Sequence, residues 1–173
     1  MGKGQPIGRE AAQMQSVEQV VNFLEKYRLT LSTAESCTGG LMASLLAEIP
    51  GSGAVLDSGF VVYSPEAKRM CLGVNQLTID HFGLTSEEVA REMALGALKM
   101  SRADIALANT GLAEADGPMD GVQCFACAMR INDHEGVVSE TLKFEGERND
   151  VRYAAARYAL LQLPYYYERL RNP

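Results

Sequence analysis

The sequence predicts an α/β protein: a single domain in three layers, with helices covering both faces of a mixed sheet. Two observations lead to this prediction. Segments with apolar residues at helical spacing alternate with short apolar runs typical of buried strands. The length of 173 residues suits one domain that is large enough for a substantial core.

The first elements along the chain are a helix, a strand and a second helix. Apolar residues at helical spacing predict an amphipathic helix over about 14–28. A β-prone run at 29–35 follows, and a polar turn at 36–40 ends it. Helical spacing resumes at 41–49, until Pro50 and the glycine after it stop the helix.

A second strand and two further helices come next. The run 59–63 predicts a buried strand. Ser64 suits the N-cap of the following helix, with Pro65 at its first position. Another helix opens at 85–88, where acidic residues complement the helix dipole. Its predicted inward face consists of Val89, Met93, Ala97 and Met100.

The remaining elements complete the sheet. A short strand is predicted over 104–110, and an antiparallel pair over 121–131 and 137–144, joined by a turn at 132–136. A last helix is predicted over about 150–163, ended by Pro164.

The predicted domain covers residues 15–163, with a polar extension at 1–14 and a tail at 164–173. The tail contains three consecutive tyrosines, 165–167. An exposed aromatic run packs well against a neighbouring subunit, and a homo-oligomer is expected. The alternative is that these tyrosines cover the protein's own core.

Composition excludes several functional classes. The net charge of −6 argues against a general nucleic-acid binder, which needs many basic contacts to phosphate. No apolar run approaches a membrane span, and the polar start of the chain does not indicate export. The four cysteines are therefore expected as free thiols in the cytoplasm. With two scattered histidines, neither a metal site nor a cofactor is expected.

In α/β sheets, ligands bind at the carboxyl ends of strands, which directs attention to 36–40, 63–68 and 110–121. The segment Thr-Ala-Glu-Ser-Cys-Thr-Gly-Gly at 33–40 is a strand, a polar turn and two glycines that enter a helix. Exposed backbone N–H groups there can bind a phosphate or stabilise an oxyanion beside a hydroxyl nucleophile. The simpler interpretation is a helix cap.

A second polar group follows the second strand. Tyr63 ends that strand, and Lys68 lies about one turn into the next helix. A lysine that is desolvated in a pocket has a lowered pKa and can act as a base for a serine. The alternative is a solvated lysine beside a half-buried tyrosine.

Taken together, the motifs identify a family resemblance. They occur in order at 33–40, 50–52, 59–64 with Glu66 and Lys68, 72–74, 86–90, 110–111, and 144–152. Over about 15–163 the chain resembles the C-terminal domain of the CinA (competence-damage-inducible) proteins. The resemblance implies a metal-independent serine amidohydrolase, which converts nicotinamide mononucleotide and water to nicotinic acid mononucleotide and ammonia.

The resemblance also implies roles for individual residues. Ser36 would be the nucleophile and Lys68 its base, with Tyr63 and Thr38 as polar partners in the catalytic group. The substrate nucleotide would be bound by the residues Glu35, Cys37, Gly39, Gly40, Thr110, Gly111, Arg148 and Arg152. Backbone N–H groups at 37–40 would stabilise the oxyanion, and a helix N-terminus or the two arginines would hold the 5′-phosphate. Both arginines are equally compatible with a solvated helix surface.

One segment departs from the family pattern. The family usually continues its Thr-Gly with a loop rich in glycine, whereas the segment 112–121 carries Glu114, Asp116 and Asp120. Side chains there would crowd a ligand, and negative charge would oppose a phosphate. Alternatives are therefore a family member that binds a nucleotide or protein partner without turnover, or one that hydrolyses a different small amide.

Cysteine chemistry offers rival interpretations. Cys37 adjoins Ser36 near a helix N-terminus, so a Cys37 nucleophile with His81 as base is an alternative mechanism. Cys124 and Cys127 have the spacing of a redox pair. On a strand, however, these two positions face opposite sides, which favours two separate core thiols.

Overall fold

The computed structural model describes residues 16–173 and contains one five-stranded sheet between two layers of helices. The helices are α1 (Val17–Tyr27), α2 (Leu41–Ala47), α3 (Pro65–Leu72), α4 (Gln76–Phe82), α5 (Glu87–Met100), α6 (Arg148–Leu161) and α7 (Leu163–Arg171). The strands are β1 (Leu31–Glu35), β2 (Leu56–Val61), β3 (Ile105–Gly111), β4 (Val122–Ile131) and β5 (His134–Lys143). The predicted three-layer α/β fold is confirmed.

The strand order is β2-β1-β3-β4-β5. Strand β1 pairs in parallel with both β2 and β3, whereas β4 and β5 are added antiparallel. The carboxyl ends of the three parallel strands therefore meet at one edge of the sheet. The antiparallel strand β4 begins at this edge, because Gly111 is paired with Gln123.

Each face of the sheet has its own apolar core. One core packs α1, α2, α6 and α7 against side chains such as Leu107 and Phe125. The other packs α3 and α5 against smaller side chains, among them Ala106 and Ala126. Cys127 belongs to the first core and Cys124 to the second, so the prediction of two separate core thiols is confirmed.

The C-terminal segment differs most from expectation. Residues 163–171 form helix α7, because Pro164 lies in its first turn, where a missing N–H costs nothing. Tyr166 and Tyr167 are buried in the core and Tyr165 is half-buried. The tyrosines thus cover the protein's own core.

Smaller differences have local causes. The predicted turn at 132–136 contains only two residues, because Asn132 adopts a left-handed φ of 52° and β5 begins at His134. Helix α4 was not predicted. Met100 is 61% exposed at the end of α5, so its predicted place in the core is wrong. Within 16–173, no helix has the length and apolar character needed to cross a membrane. The polar extension at 1–14 lies outside the described residues.

Candidate active site

The polar turn at 36–40 joins β1 to α2, and its shape depends on two glycines. Gly39 and Gly40 have φ values of 57° and 99°, in the region that side chains disfavour. A Cβ at Gly39 would also lie 2.9 Å from the guanidinium of Arg152. The glycine pair therefore allows the chain to turn tightly beneath this arginine.

Glu35 anchors the turn from the end of β1. Its buried carboxylate accepts hydrogen bonds from the hydroxyl of Thr38 (2.8 Å) and from the backbone N–H of Met42 (2.8 Å). Gly40, Ala43 and the hydroxyl of Thr33 donate three more. The negative charge at the start of α2 suits the helix dipole. The oxygens of Glu35 are thus directed at its own loop and helix.

Ser36 and Lys68 lie side by side. Ser64 accepts a hydrogen bond from Ala67 and, with Pro65, starts α3 as predicted, which directs Lys68 back toward β1. Lys68 Nζ is 2.9 Å from Ser36 Oγ, 3.0 Å from the carbonyl oxygen of Val62 and 3.1 Å from that of Tyr63. The alternative of a solvated lysine is excluded, since the exposed fraction of Lys68 is 1%.

Burial lowers the pKa of Lys68 to about 8. Desolvation disfavours the ammonium form, and none of the carboxylates in residues 16–173 forms an ion pair with it. A substantial share of Lys68 is therefore neutral near physiological pH. A neutral amine at 2.9 Å is placed to accept the proton of the Ser36 hydroxyl.

A cavity of about 210 Å³ opens beside this pair. Its walls come from the loops at the carboxyl ends of the parallel strands, from α3, from the loop between α4 and α5, and from the start of α6. The lining residues are Ser36, Cys37, Tyr63, Lys68, Leu84, Thr85, Thr110, Gly111, Leu112, Ala113, Glu114 and Arg148. The structure thus brings together seven of the twelve predicted site residues.

Three further lining side chains, those of Tyr63, Arg148 and Thr110, form hydrogen bonds within the cavity wall. The phenol oxygen of Tyr63 accepts a hydrogen bond from the exposed guanidinium of Arg148 at 3.0 Å. The hydroxyl of Thr110 donates to the carbonyl oxygen of Leu84 at 2.9 Å. Arg148 is therefore an exposed cation at the cavity, and its guanidinium is held by the phenol oxygen of Tyr63.

Nearly all backbone N–H groups of the turn at 36–40 donate hydrogen bonds to other groups of the protein. Ser36 N–H donates to the carbonyl oxygen of Asn109, Gly39 N–H to that of Ser36, and Gly40 N–H to Glu35. Thr38 N–H donates to Asn109 Oδ1. Among the N–H groups of 36–40, only that of Cys37 has no acceptor in the described part of the chain. This narrows the predicted oxyanion donors at 37–40 to one group, on the residue after the candidate nucleophile.

The other five predicted site residues, Glu35, Thr38, Gly39, Gly40 and Arg152, do not line the cavity. Thr38 is fully buried, and its hydroxyl is bound to Glu35. Arg152 donates to the carbonyl oxygens of Cys37 (2.9 Å) and Thr38 (3.3 Å), which braces the turn from α6. All five shape the turn that carries Ser36.

Sequence reasoning missed Asn109 and Gln123. Both are fully buried, and Asn109 Nδ2 donates to Gln123 Oε1 at 2.9 Å. The available signal was an amide side chain near one end of each of two largely apolar strands. Such residues need partners, and here the partners include the turn at 36–40.

The acidic loop at 112–121 does not fill the cavity. Leu112, Ala113 and Glu114 contribute to its wall, and a hydrogen bond from Ala115 N–H to Asp120 closes the rest of the loop on itself. The rival base His81 lies on α4 among residues that line a separate surface depression. In residues 16–173, no group of His, Cys, Asp and Glu is arranged to hold a metal ion.

Comparison with known proteins gives a consistent result. The family model for the CinA C-terminal domain matches residues 13–166. The nicotinamide-nucleotide amidohydrolase PncC of Escherichia coli K12 is 43% identical over 154 residues, which cover 87% of this chain and 92% of that protein. A CinA-like protein of Chlorobium phaeobacteroides is also 43% identical, but this chain spans 36% of it. The chain thus spans about a third of the length of several curated relatives.

Solved structures show the same fold. The competence/damage inducible protein CihA of Agrobacterium tumefaciens has a TM-score of 0.80 and 36% identity, covering 96% of this chain and 99% of that one. A competence damage-inducible protein from Klebsiella pneumoniae has a TM-score of 0.81 and 31% identity, covering 89% and 98%.

Proposed function

Because the chain belongs to the CinA C-terminal domain family, we propose that it is a serine amidohydrolase that converts nicotinamide mononucleotide and water to nicotinic acid mononucleotide and ammonia. The observation that carries this proposal is the 2.9 Å contact between Lys68 Nζ and Ser36 Oγ beside an open cavity. The identity to a nicotinamide-nucleotide amidohydrolase over most of both chains supports the choice of substrate.

The reaction starts with attack of Ser36 Oγ on the carboxamide carbon, while the neutral amine of Lys68 accepts the hydroxyl proton. The Cys37 N–H donates to the oxygen that gains negative charge. Lys68 then returns the proton to the amide nitrogen as the C–N bond breaks, which releases ammonia and leaves an ester on Ser36. A water molecule, deprotonated by Lys68, attacks that ester. Lys68 then returns the proton to Ser36 Oγ as the C–O bond breaks and the carboxylate product leaves.

Substrate binding is assigned to the mouth of the cavity. The 5′-phosphate is a dianion, and the exposed guanidinium of Arg148 is the better placed of the two predicted arginines. Arg152 already donates to two backbone carbonyls of the turn. Tyr63 orients Arg148 through its phenol oxygen.

A second candidate is a hydrolase of a different small amide. It is favoured by Glu114, an exposed lining residue of the cavity whose negative charge would repel a phosphate dianion. This alternative predicts turnover of an uncharged or cationic amide in preference to the nucleotide. It keeps the same roles for Ser36 and Lys68.

The expected setting is a homo-oligomer in the cytoplasm. The four free cysteines support a reducing compartment. Exposed apolar side chains on α3 and α4, namely Met70, Leu77 and Phe82, support self-association. Sedimentation velocity of the purified protein tests the oligomeric state.

The function is tested by measuring ammonia and nicotinic acid mononucleotide formed from nicotinamide mononucleotide, with and without EDTA. Release that is unaffected by EDTA and lost in Ser36→Ala supports a serine mechanism. A folded wild-type protein that releases no ammonia from this substrate contradicts the proposal and directs attention to other amides.

A further inference from the structure

Two buried amide side chains lie behind the turn that carries the candidate nucleophile. Asn109 belongs to β3 and Gln123 to β4; neither lines the cavity, and each has an exposed fraction of 0%. A buried amide must satisfy its donors and acceptors within the protein. The partners of these two side chains therefore indicate what they do.

Asn109 holds the turn at two points on either side of Cys37. Its backbone oxygen accepts from Ser36 N–H at 3.0 Å, and its Oδ1 accepts from Thr38 N–H at 3.2 Å. With both neighbours fixed by one residue, the peptide of Cys37 is held with its N–H free. That free N–H is the oxyanion donor assigned above.

Gln123 fixes the orientation of the Asn109 amide. Its Oε1 can only accept, so the NH₂ of Asn109 faces Gln123 at 2.9 Å and Oδ1 faces Thr38. Gln123 Nε2 in turn donates to the sulfur of Cys37 at 3.4 Å. Gly111 leaves room for this arrangement, because a Cβ there would lie 2.2 Å from Gln123 Oε1.

We propose that Asn109 and Gln123 are positioning residues for acyl transfer at Ser36. They orient the Cys37 N–H so that it donates to the oxygen of the same carbonyl group whose carbon Ser36 Oγ attacks. This inference rests on the proposed function and adds to it two residues that do not touch the substrate. A displaced oxyanion donor lowers the rate of bond formation more than it weakens ground-state binding.

The test uses Asn109→Leu and Gln123→Met, which keep the side-chain volume and remove the hydrogen bonds. With nicotinamide mononucleotide, kcat is expected to fall by about 100-fold and KM to stay within about threefold. The pH at which the rate rises is expected to be unchanged, because the partners of Lys68 are intact. Asn109→Asp keeps an acceptor for Thr38 N–H, and a turn of the Gln123 amide by about 180° presents its NH₂ to the second carboxylate oxygen. This variant is expected to recover at least about tenfold of the kcat lost in Asn109→Leu.

A matched control separates positioning from loss of stability. Tyr166 on α7 is fully buried and donates its hydroxyl to Glu140, so Tyr166→Phe also removes a buried hydrogen bond. This variant is expected to lower the melting temperature and leave kcat unchanged. If Asn109→Leu or Gln123→Met keeps kcat within threefold of wild type, the proposal is overturned; if Asn109→Leu does not fold, Gln123→Met decides by the same criterion.

A second assay does not depend on the proposed substrate. Phenylmethylsulfonyl fluoride modifies an activated serine: Oγ bonds to sulfur, fluoride leaves, and the hydroxyl proton passes to Lys68. Intact mass measures the rate. If wild type releases no ammonia, the proposed function fails, and this rate decides the inference. The inference is supported if the reagent modifies Ser36 of the wild type and modifies it at least tenfold more slowly in both amide variants. Equal rates in all three proteins, or no modification of the wild type, overturn the inference.

Discussion

The Nζ atom of Lys68 lies 2.9 Å from the Oγ atom of Ser36, and its other two partners are backbone carbonyl oxygens. No carboxylate among residues 16–173 offsets the charge of the ammonium, and burial lowers the pKa of Lys68 to about 8. The same burial that favours the neutral amine has a cost in stability. Both consequences are measurable.

The rate of amide hydrolysis is expected to rise with pH, to reach half its maximum near pH 8 and to level off above about pH 9. Lys68 acts as a base only when neutral, and its lowered pKa places that transition near 8. The measurement is kcat/KM against pH from 6 to 10. Lys68→Arg stays protonated at every accessible pH and is expected to show no rising limb and less than about 1% of the activity. A flat wild-type profile would contradict this role.

The free energy of unfolding is expected to depend on pH through the same residue. The folded protein disfavours the protonated form, so the unfolded chain binds more protons between pH 8 and 10.5, and stability rises with pH across that window. The full change corresponds to roughly 3 kcal/mol. Urea unfolding of wild type and Lys68→Met at pH 7 and pH 10.5 measures it. Between pH 7 and pH 10.5 the free energy of unfolding is expected to increase more for the wild type than for Lys68→Met. A difference between the two proteins that does not change with pH would show that Lys68 does not titrate as inferred.

The identity of the nucleophile is tested by substituting two neighbouring residues. Ser36→Ala is expected to lower kcat by at least about 1,000-fold, because it removes the attacking atom. Cys37→Ala keeps the backbone N–H and is expected to retain kcat within about tenfold. The reverse pattern would favour the cysteine mechanism. Ammonia release by both variants, with circular dichroism to establish folding, distinguishes the two.

Much of this site was predictable because its chemistry resides in short local patterns. The turn at 36–40 follows from a strand that runs into two glycines, and the start of α3 from Ser64-Pro65. The pairing of Ser36 with Lys68 came from the family resemblance, since spacing alone left a solvated lysine open. Side-chain direction was less accessible. Sequence patterns did not indicate that the side chains of Thr38 and Arg152 bind other parts of the protein and do not line the cavity. Those contacts join residues 3 and 115 positions apart.

The buried amides and α7 show a different limit. Asn109 and Gln123 are 14 residues apart in sequence, and they meet because β3 and β4 are paired antiparallel. This register is a tertiary property. Proline breaks a helix interior, which favours a helix end at Pro164, but proline is also common in the first turn of a helix. Whether the chain ends a helix or starts a new one at Pro164 depends on the packing of Tyr166 into the core, which is a tertiary contact.

Arg148 is expected to bind the substrate phosphate. Arg148→Gln removes the charge at the cavity mouth and is expected to raise KM for nicotinamide mononucleotide by about tenfold or more. KM for nicotinamide riboside, which lacks the phosphate, is expected to change by less than threefold. Arg157 is a half-buried arginine further along α6 that does not line the cavity, and Arg157→Gln serves as the control. Equal effects on both substrates would exclude the phosphate assignment.

Glu35 is expected to be essential for the stability of the turn, although it lies outside the cavity. Its Oε1 accepts three hydrogen bonds and its Oε2 two, from backbone N–H groups and hydroxyls. In Glu35→Gln, an NH₂ group replaces one of these oxygens and faces donors, which leaves N–H groups such as that of Ala43 unsatisfied. The expected loss is about 2–4 kcal/mol in urea unfolding, because a buried donor loses a charged acceptor. Exposed Glu48 at the end of α2 provides the control, and Glu48→Gln is expected to change stability by less than about 0.5 kcal/mol. A Glu35→Gln variant as stable as this control would show that the turn is held by Asn109 and Arg152 alone.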